Sequence, residues 1–232
     1  AKPVQAGFAA AAGLRAARMA QAGIDGDQDV FGAGGVLDIY SGGLRDDGPL
    51  ELDPSSVSVK LYPCCYASHR MIAAAIDLRE RYGASDDFDI VVRAPQGQLQ
   101  PLRVETPRSG LEAKFCARYI VATALQRGDV GLADFTDEAV TNTARNGLMQ
   151  RIRIEPTPSQ PGDNLEAGEV VVALESGNAE ARSRFYPGSP RLPPTSAQRN
   201  AKIADCLTVY ARVREPLSIG EFRASIATLC AA

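Results

Sequence analysis

What most limits the folds open to this chain is where its two hydrophobic periodicities fall. Strand-like runs cluster in the middle, between residues 88 and 186, while both ends read as helix. Residues 5–22 (QAGFAAAAGLRAARMAQA) combine high helix propensity with small residues suited to close packing, and Gly23 stands where a helix stop belongs, so a buried helix is expected. At the other end Ser196 caps a predicted helix over 197–211, and Ser218 with Glu221 forms a capping box for a last helix over 218–231. Between them, 88–93, 149–155, 169–175 and 179–186 read as strands, the last two joined through Ser176-Gly177-Asn178 as a hairpin. Segregation of this kind predicts an α+β unit inserted into, or appended to, a helical one.

Composition narrows the function classes. The 232 residues are 45% hydrophobic and 23% charged, the balance of an ordinary globular protein. A net charge of −3, with no Trp and 6% aromatics, leaves neither a basic surface for nucleic acid or anionic lipid nor many stacking platforms for single strands. No nucleic-acid partner is expected. No apolar run approaches the ~18 residues of a membrane span, because Arg15, Arg18 and Gln21 interrupt the Ala-rich opening, and the same interruption argues against a signal peptide. The five cysteines (Cys64, Cys65, Cys116, Cys206, Cys230) are odd in number and form no C-x-x-C, which predicts reduced thiols in a cytoplasmic compartment. With one histidine and no thiolate or carboxylate cluster, no metal site is expected. The glycine-rich stretch 32–43 lacks G-x-G-x-x-G spacing, a preceding strand and a Walker lysine, so it reads as a loop with a short helix, and the polar stretch 46–56 as a boundary.

The chemistry-bearing segment is 60–78, KLYPCCYASHRMIAAAIDL, which holds that single histidine. Pro63 restricts Tyr62 to extended or turn conformations, and Ile72, Ala73, Ala75 and Ile76 recur at helical spacing. The helix should therefore begin around 66–68, with His69 in its first turn and Gly83 at its end. The positive end of a helix dipole disfavours an imidazolium, leaving a neutral ring able to exchange a proton near pH 7. From residue type alone His69 reads equally as a cap or packing residue. Residues 111–127 (LEAKFCARYIVATALQR) read as a second amphipathic helix with Leu111, Phe115 and Tyr119 on one face. Spacing by itself makes Tyr119 a core residue, Lys2 and Lys60 solvated charges, and Lys114 and Arg118 helix-surface charges. Thr136 caps a short helix with an acidic first turn.

Four segments resemble the MmgE/PrpD family. AKPVQAGFAAAAGLRAARMAQAGI is similar to its K-x-x-H/x-x-G-x-A-A-x-x-G-x-x-A-A-x-L-A helix, and KLYPCCYASH to its K-x-Y/F-P-x-x-x-x-T/S-H segment. EAKFCARYIVATALQRGDV resembles its A-K/R-F-S-x-x-Y-x-x-A helix, and GSPRLPPTSAQRNAKIADC its G-x-P-x-x-P…K-F-x-x-C ending. The resemblance implies part of an all-helical domain built from 1–54 and 196–232, plus an inserted α+β lid, 55–195, with a small antiparallel sheet. It covers only the second half of such an enzyme; the first half supplies further Asp, Thr and His residues. It implies a lyase of the dehydratase kind on a small di- or tricarboxylate, by proton removal next to a carboxylate, or an epimerase working through the same intermediate. His69, Tyr119 and Lys2 would be its catalytic residues and Lys60 a substrate-binding one, with no organic or metal cofactor. Its implied partners are a homodimer mate or a separate helical half; without that half the chain would be non-catalytic and expose an apolar face on its first helix.

Overall fold

A computed structural model describes residues 2–27, 29–32, 34–41, 57–83, 88–158 and 168–213. They belong to two compact units, 1–52 and 53–232. In the first, α1 (Lys2–Gln21) ends at Gly23, whose φ of +84° lets Gly23 N and Ile24 N donate to the carbonyls of Ala20 and Met19. A turn then leads into the short α2 (Val36–Ser41). The helix expected to be buried is exposed along its described side chains, Phe8 by 73%. The unit's other described helix has six residues, too little surface to cover one of twenty.

In the second unit a 3₁₀ turn at Tyr66–Ser68 runs into α3 (His69–Tyr82), which Gly83 closes. β1 (Ile90–Pro95) is followed by α4 (Gln96–Leu99), α5 (Gly110–Ala113) and α6 (Ala117–Arg127). A 3₁₀ turn at Leu132–Phe135, α7 (Asp137–Val140) and α8 (Thr143–Gln150) lead to β2 (Ile152–Thr157). The hairpin β3 (Val170–Leu174) and β4 (Glu180–Ser183) precedes α9 (Ser196–Val213). The fold is thus mixed α and β around one four-stranded sheet, ordered β2-β1-β3-β4. α3 packs on β3, β4 and α6, so Met71, Ile72 and Ala75 meet Val170 and Val172 from the sheet and Ile120 and Val121 from α6 in one core.

Three expectations are corrected. The sheet is mixed rather than antiparallel: β1 and β2 run parallel, with Ile90 opposite Ile152, because the helices between them return the chain to the same end of the sheet. β1–β3 and β3–β4 are antiparallel. The helix over 111–127 is broken. The Lys114 carbonyl accepts from Cys65 N at 3.0 Å, so it cannot continue a helical ladder, and Gly110 N is held by Asp137 Oδ1 at 2.8 Å. A Cβ at Gly110 would run into the Phe135 carbonyl. Leu111 and Phe115 are consequently exposed, while Ala113, Cys116 and most of α6 are buried. Finally, α9 is capped by Thr195, not Ser196. Gln198 N donates to Thr195 Oγ1 (3.1 Å) and Thr195 N to Gln198 Oε1 (2.9 Å), a capping box one residue earlier. α8, capped by Asn142 accepting from Arg145 N, had no sequence counterpart and delays β2 to Ile152. The expected helix over 218–231 and the boundary at 46–56 lie outside the described residues.

Among the described residues no helix is long and apolar enough to cross a membrane.

Candidate active site

The segment before α3 is laid down by backbone. Val59 N donates to Gly188 O at 2.7 Å, and Gly188, at φ +89°, sits so close to the Val59 carbonyl that a Cβ would collide with it. The chain turns at Pro63, and Ser68 Oγ donates to Cys65 O (2.7 Å) while lying 3.3 Å from Cys64 Sγ. His69 therefore starts α3 with its ring inside the protein, as its exposure of 0% records.

Aromatic rings hold it there. The Tyr62 ring meets His69 edge-on at 5.1 Å, Tyr66 leans on it at 4.9 Å, and Tyr66 stacks on Tyr186 at 4.5 Å. Neither ring nitrogen of His69 has a hydrogen-bond partner among the described residues; the backbones of Tyr62 and Pro187 approach it short of hydrogen-bond geometry. Burial first, then the charges of Lys60 and Lys202, lower its pKa to about 3. The ring is neutral at physiological pH, as the sequence suggested, but for a different main reason: desolvation outweighs everything else acting on it. Burial likewise pushes the Cys64 thiol and the Tyr62 phenol up to about 12, so Cys64 is no thiolate nucleophile.

The next residue anchors the turn. Arg70, fully buried, donates to the carbonyls of Gly168 (2.9 Å) and Arg184 (3.1 Å) and to Gln98 Oε1, and its guanidinium lies 4.7 Å from the Tyr186 ring centre. Gln98 in turn donates to Ala67 O at 2.5 Å. The start of α3 is thus tied to the residues flanking the two hairpin strands and to α4.

A cleft of about 620 Å³ opens between α3, α9 and the 187–195 segment, with Tyr62, Pro187, Arg127, Asp129 and Lys202 in its wall. The same Tyr62 and Pro187 that crowd the imidazole line this cleft, so His69 lies behind its wall.

The other sequence-predicted residues fall in three places. Lys60 is exposed, makes no hydrogen bond or ion pair among the described residues, and exerts the strongest charge effect on His69 and on Cys64. Tyr119 is fully buried on α6; its hydroxyl donates to Asp134 O (2.5 Å) and accepts from Arg145 Nη1 (2.6 Å), and burial raises its pKa against the opposing pull of Arg145. Asp134 also binds Arg145 (3.1 Å) and Arg127 (2.7 Å), so the phenol belongs to a closed network of its own. Lys2 opens α1 in the first unit, and its side chain lies outside the described residues. The structure thus brings Lys60 and His69 into electrostatic reach and engages Tyr119 elsewhere. Sequence reasoning missed Tyr62, Tyr66, Arg70 and Lys202. Tyr66, one helical turn before His69, carried a usable signal, and Lys202 carried one as the lysine of the K-F-x-x-C ending. Among the described residues, no group of three or more His, Cys, Asp or Glu side chains is placed to hold a metal ion.

Comparison with known proteins agrees with the motifs. The chain is 26% identical to the cis-aconitate decarboxylase of Mus musculus over 204 residues, 80% of this chain and 41% of that protein. Against the Homo sapiens cis-aconitate decarboxylase it is 26% identical over 191 residues, 76% of this chain and 39% of the relative. The chain therefore spans about two fifths of the length of these curated relatives. The model of the MmgE/PrpD C-terminal domain matches residues 62–221, a stretch that takes in the His69 turn, the α3–α6 core, the cleft wall and α9, and the chain accordingly belongs to the MmgE/PrpD family.

Proposed function

We propose that this chain carries part of the site of a lyase that removes a proton next to a carboxylate of a small di- or tricarboxylate, with His69 as the proton-transfer group. The observation that carries this reading is the buried, neutral imidazole whose two nitrogens have no partner among the described residues. A ring with a pKa of about 3 is a weak base in the empty site. A substrate carboxylate brought beside it offsets Lys60 and adds an opposite charge, both of which raise the ring's basicity. The base is thereby strengthened by the acid it acts on. Proton removal leaves an aci-carboxylate with extra negative charge, which Lys60, and in the complete site Lys2, would stabilise. Tyr119 would contribute by holding the Asp134 turn through its hydroxyl rather than as a free acid.

From that intermediate, loss of β-hydroxide makes a dehydratase and reprotonation on the other face an epimerase; a decarboxylase would instead form its carbanion by losing carbon dioxide, with His69 then delivering a proton rather than removing one. The family and the decarboxylase relatives favour a lyase over the epimerase. The same reading takes 55–195 as a lid and 1–54 with 196–232 as helical-domain segments, and it calls for association with a helical half of the kind the relatives' additional length would supply. The test is deuterium incorporation from D₂O into a panel of di- and tricarboxylates by the full chain mixed with a helical half taken from the remaining length of a relative. His69→Gln should lower exchange at least ~100-fold, the usual loss on removing a general base. Exchange unchanged in His69→Gln would overturn the assignment, and product analysis then separates alkene, carbon dioxide and racemised acid.

A further inference from the structure

Resting on the reading of His69 as the proton-transfer group, we propose that the Tyr62 ring is a door between that imidazole and the cleft. Placed as it is here it seals the imidazole off, and rotated away it opens the ring nitrogens to a small carboxylic acid lying in the cleft. His69 has 0% exposure and is not part of the cleft lining, so as it stands it touches neither water nor anything held there. A proton-transfer group in that position acts only when part of its cover moves.

Of the groups that cover the ring, two are fixed. Tyr66 is stacked on Tyr186 at 4.5 Å with 13° between the ring planes, and the buried Tyr186 has the Arg70 guanidinium 4.7 Å from its ring centre, so turning Tyr66 would break the stack. Pro187 belongs to a turn tied down by its own backbone: Gly188 N donates to Leu192 O (2.8 Å), Ser189 N to Tyr186 O (3.0 Å), and Gly188 O accepts from Val59 N (2.7 Å). Tyr62 has no such tie. It is half-buried, its hydroxyl makes no hydrogen bond among the described residues, and its ring meets His69 only edge-on, at 5.1 Å. Of the two rings against His69 it is also Tyr62 that lines the cleft, so its rotation joins the imidazole to that cavity. The Tyr62 backbone is held between buried Leu61 and Pro63, and opening therefore takes a change of side-chain rotamer rather than unfolding.

The test is the rate at which diethyl pyrocarbonate carbethoxylates the single histidine of the full chain at neutral pH, followed by the absorbance of the modified ring and assigned by peptide mass. A side-chain rotation exposes almost no backbone, whereas local unfolding exposes a good deal, so the two routes to His69 respond differently to urea. The wild-type rate should be unchanged by urea well below the unfolding transition. Tyr62→Ala should react at least ~10-fold faster, and Tyr62→Phe at the wild-type rate, because the ring and not its hydroxyl is the barrier. Tyr66→Leu should accelerate the reaction less than Tyr62→Ala does. Tyr62→Val replaces the alanine variant if that one does not fold. A wild-type rate that climbs from the first additions of urea, a Tyr62→Ala rate equal to the wild type's, or a larger acceleration from Tyr66→Leu overturns the door. Deuterium exchange is read separately: exchange unchanged in His69→Gln removes the base assignment, while the carbethoxylation rates still decide whether Tyr62 controls access to the ring.

Discussion

An imidazole buried with neither nitrogen bonded among the described residues makes stability depend on pH, and the sign follows from its lowered pKa. In the unfolded chain His69 takes a proton near pH 6.5; in the folded one, only at about 3. Above 6.5 both states are neutral and the full stability is present. As pH falls from 6.5 towards 3 only the unfolded chain gains the proton, so stability is lost at up to ~1.4 kcal/mol per pH unit. Because the chain has one histidine, the slope between pH 6.5 and about 5, above the ordinary carboxylate range, should be present in the wild type and absent in His69→Gln when urea unfolding is followed across that window. Arg70 makes a second residue-scale case. Arg70→Met keeps the side chain's bulk but strands the carbonyls of Gly168 and Arg184 and the amide of Gln98. It should lower stability by about 3 kcal/mol in the same assay, and a loss under about 1 kcal/mol would show that the anchor is dispensable.

At the scale of elements, the joint between the 57–62 segment and the 187–192 segment positions the turn that carries His69. Gly188→Ala puts a Cβ at positive φ and against the Val59 carbonyl. It should cost at least ~2 kcal/mol and loosen the His69 environment, seen as a shifted C2–H signal. The start of α3 could be read from the chain because its causes are local: Pro63 fixes the turn, and the apolar spacing from Ile72 onward fixes the helix. Positions of β1, β3 and β4 were legible to within three residues for the same reason. The parallel pairing of β2 with β1 was not, since pairing direction depends on where the α4–α8 connection returns the chain. The break at Lys114 was hidden too; its cause is a hydrogen bond from Cys65, forty-nine positions away in sequence. The site divides the same way. His69 and Lys60 share one local motif, whereas Lys202 reaches the cleft wall only because α9 closes one side of it.

For the whole molecule, the match to the curated relatives covers about two fifths of their length, and the apolar side chains Val4, Phe8, Leu14 and Met19 of α1 and Ile203 and Leu207 of α9 are exposed. Under the proposed reading these side chains are among the surfaces that a helical half would cover. The isolated chain should bind a dye such as ANS and run on size exclusion above its 24.6 kDa, and adding a helical half taken from the remaining length of a relative should suppress the dye signal. A dye-silent monomer would contradict the need for such a partner. The proposed function turns on the protonation state of one ring. The direct measurement is an NMR pH titration of the His69 C2–H in the full chain: the signal should stay at its neutral position from pH 8 down to about 4, and a midpoint near the ordinary histidine value of about 6.5 would contradict the buried, neutral base.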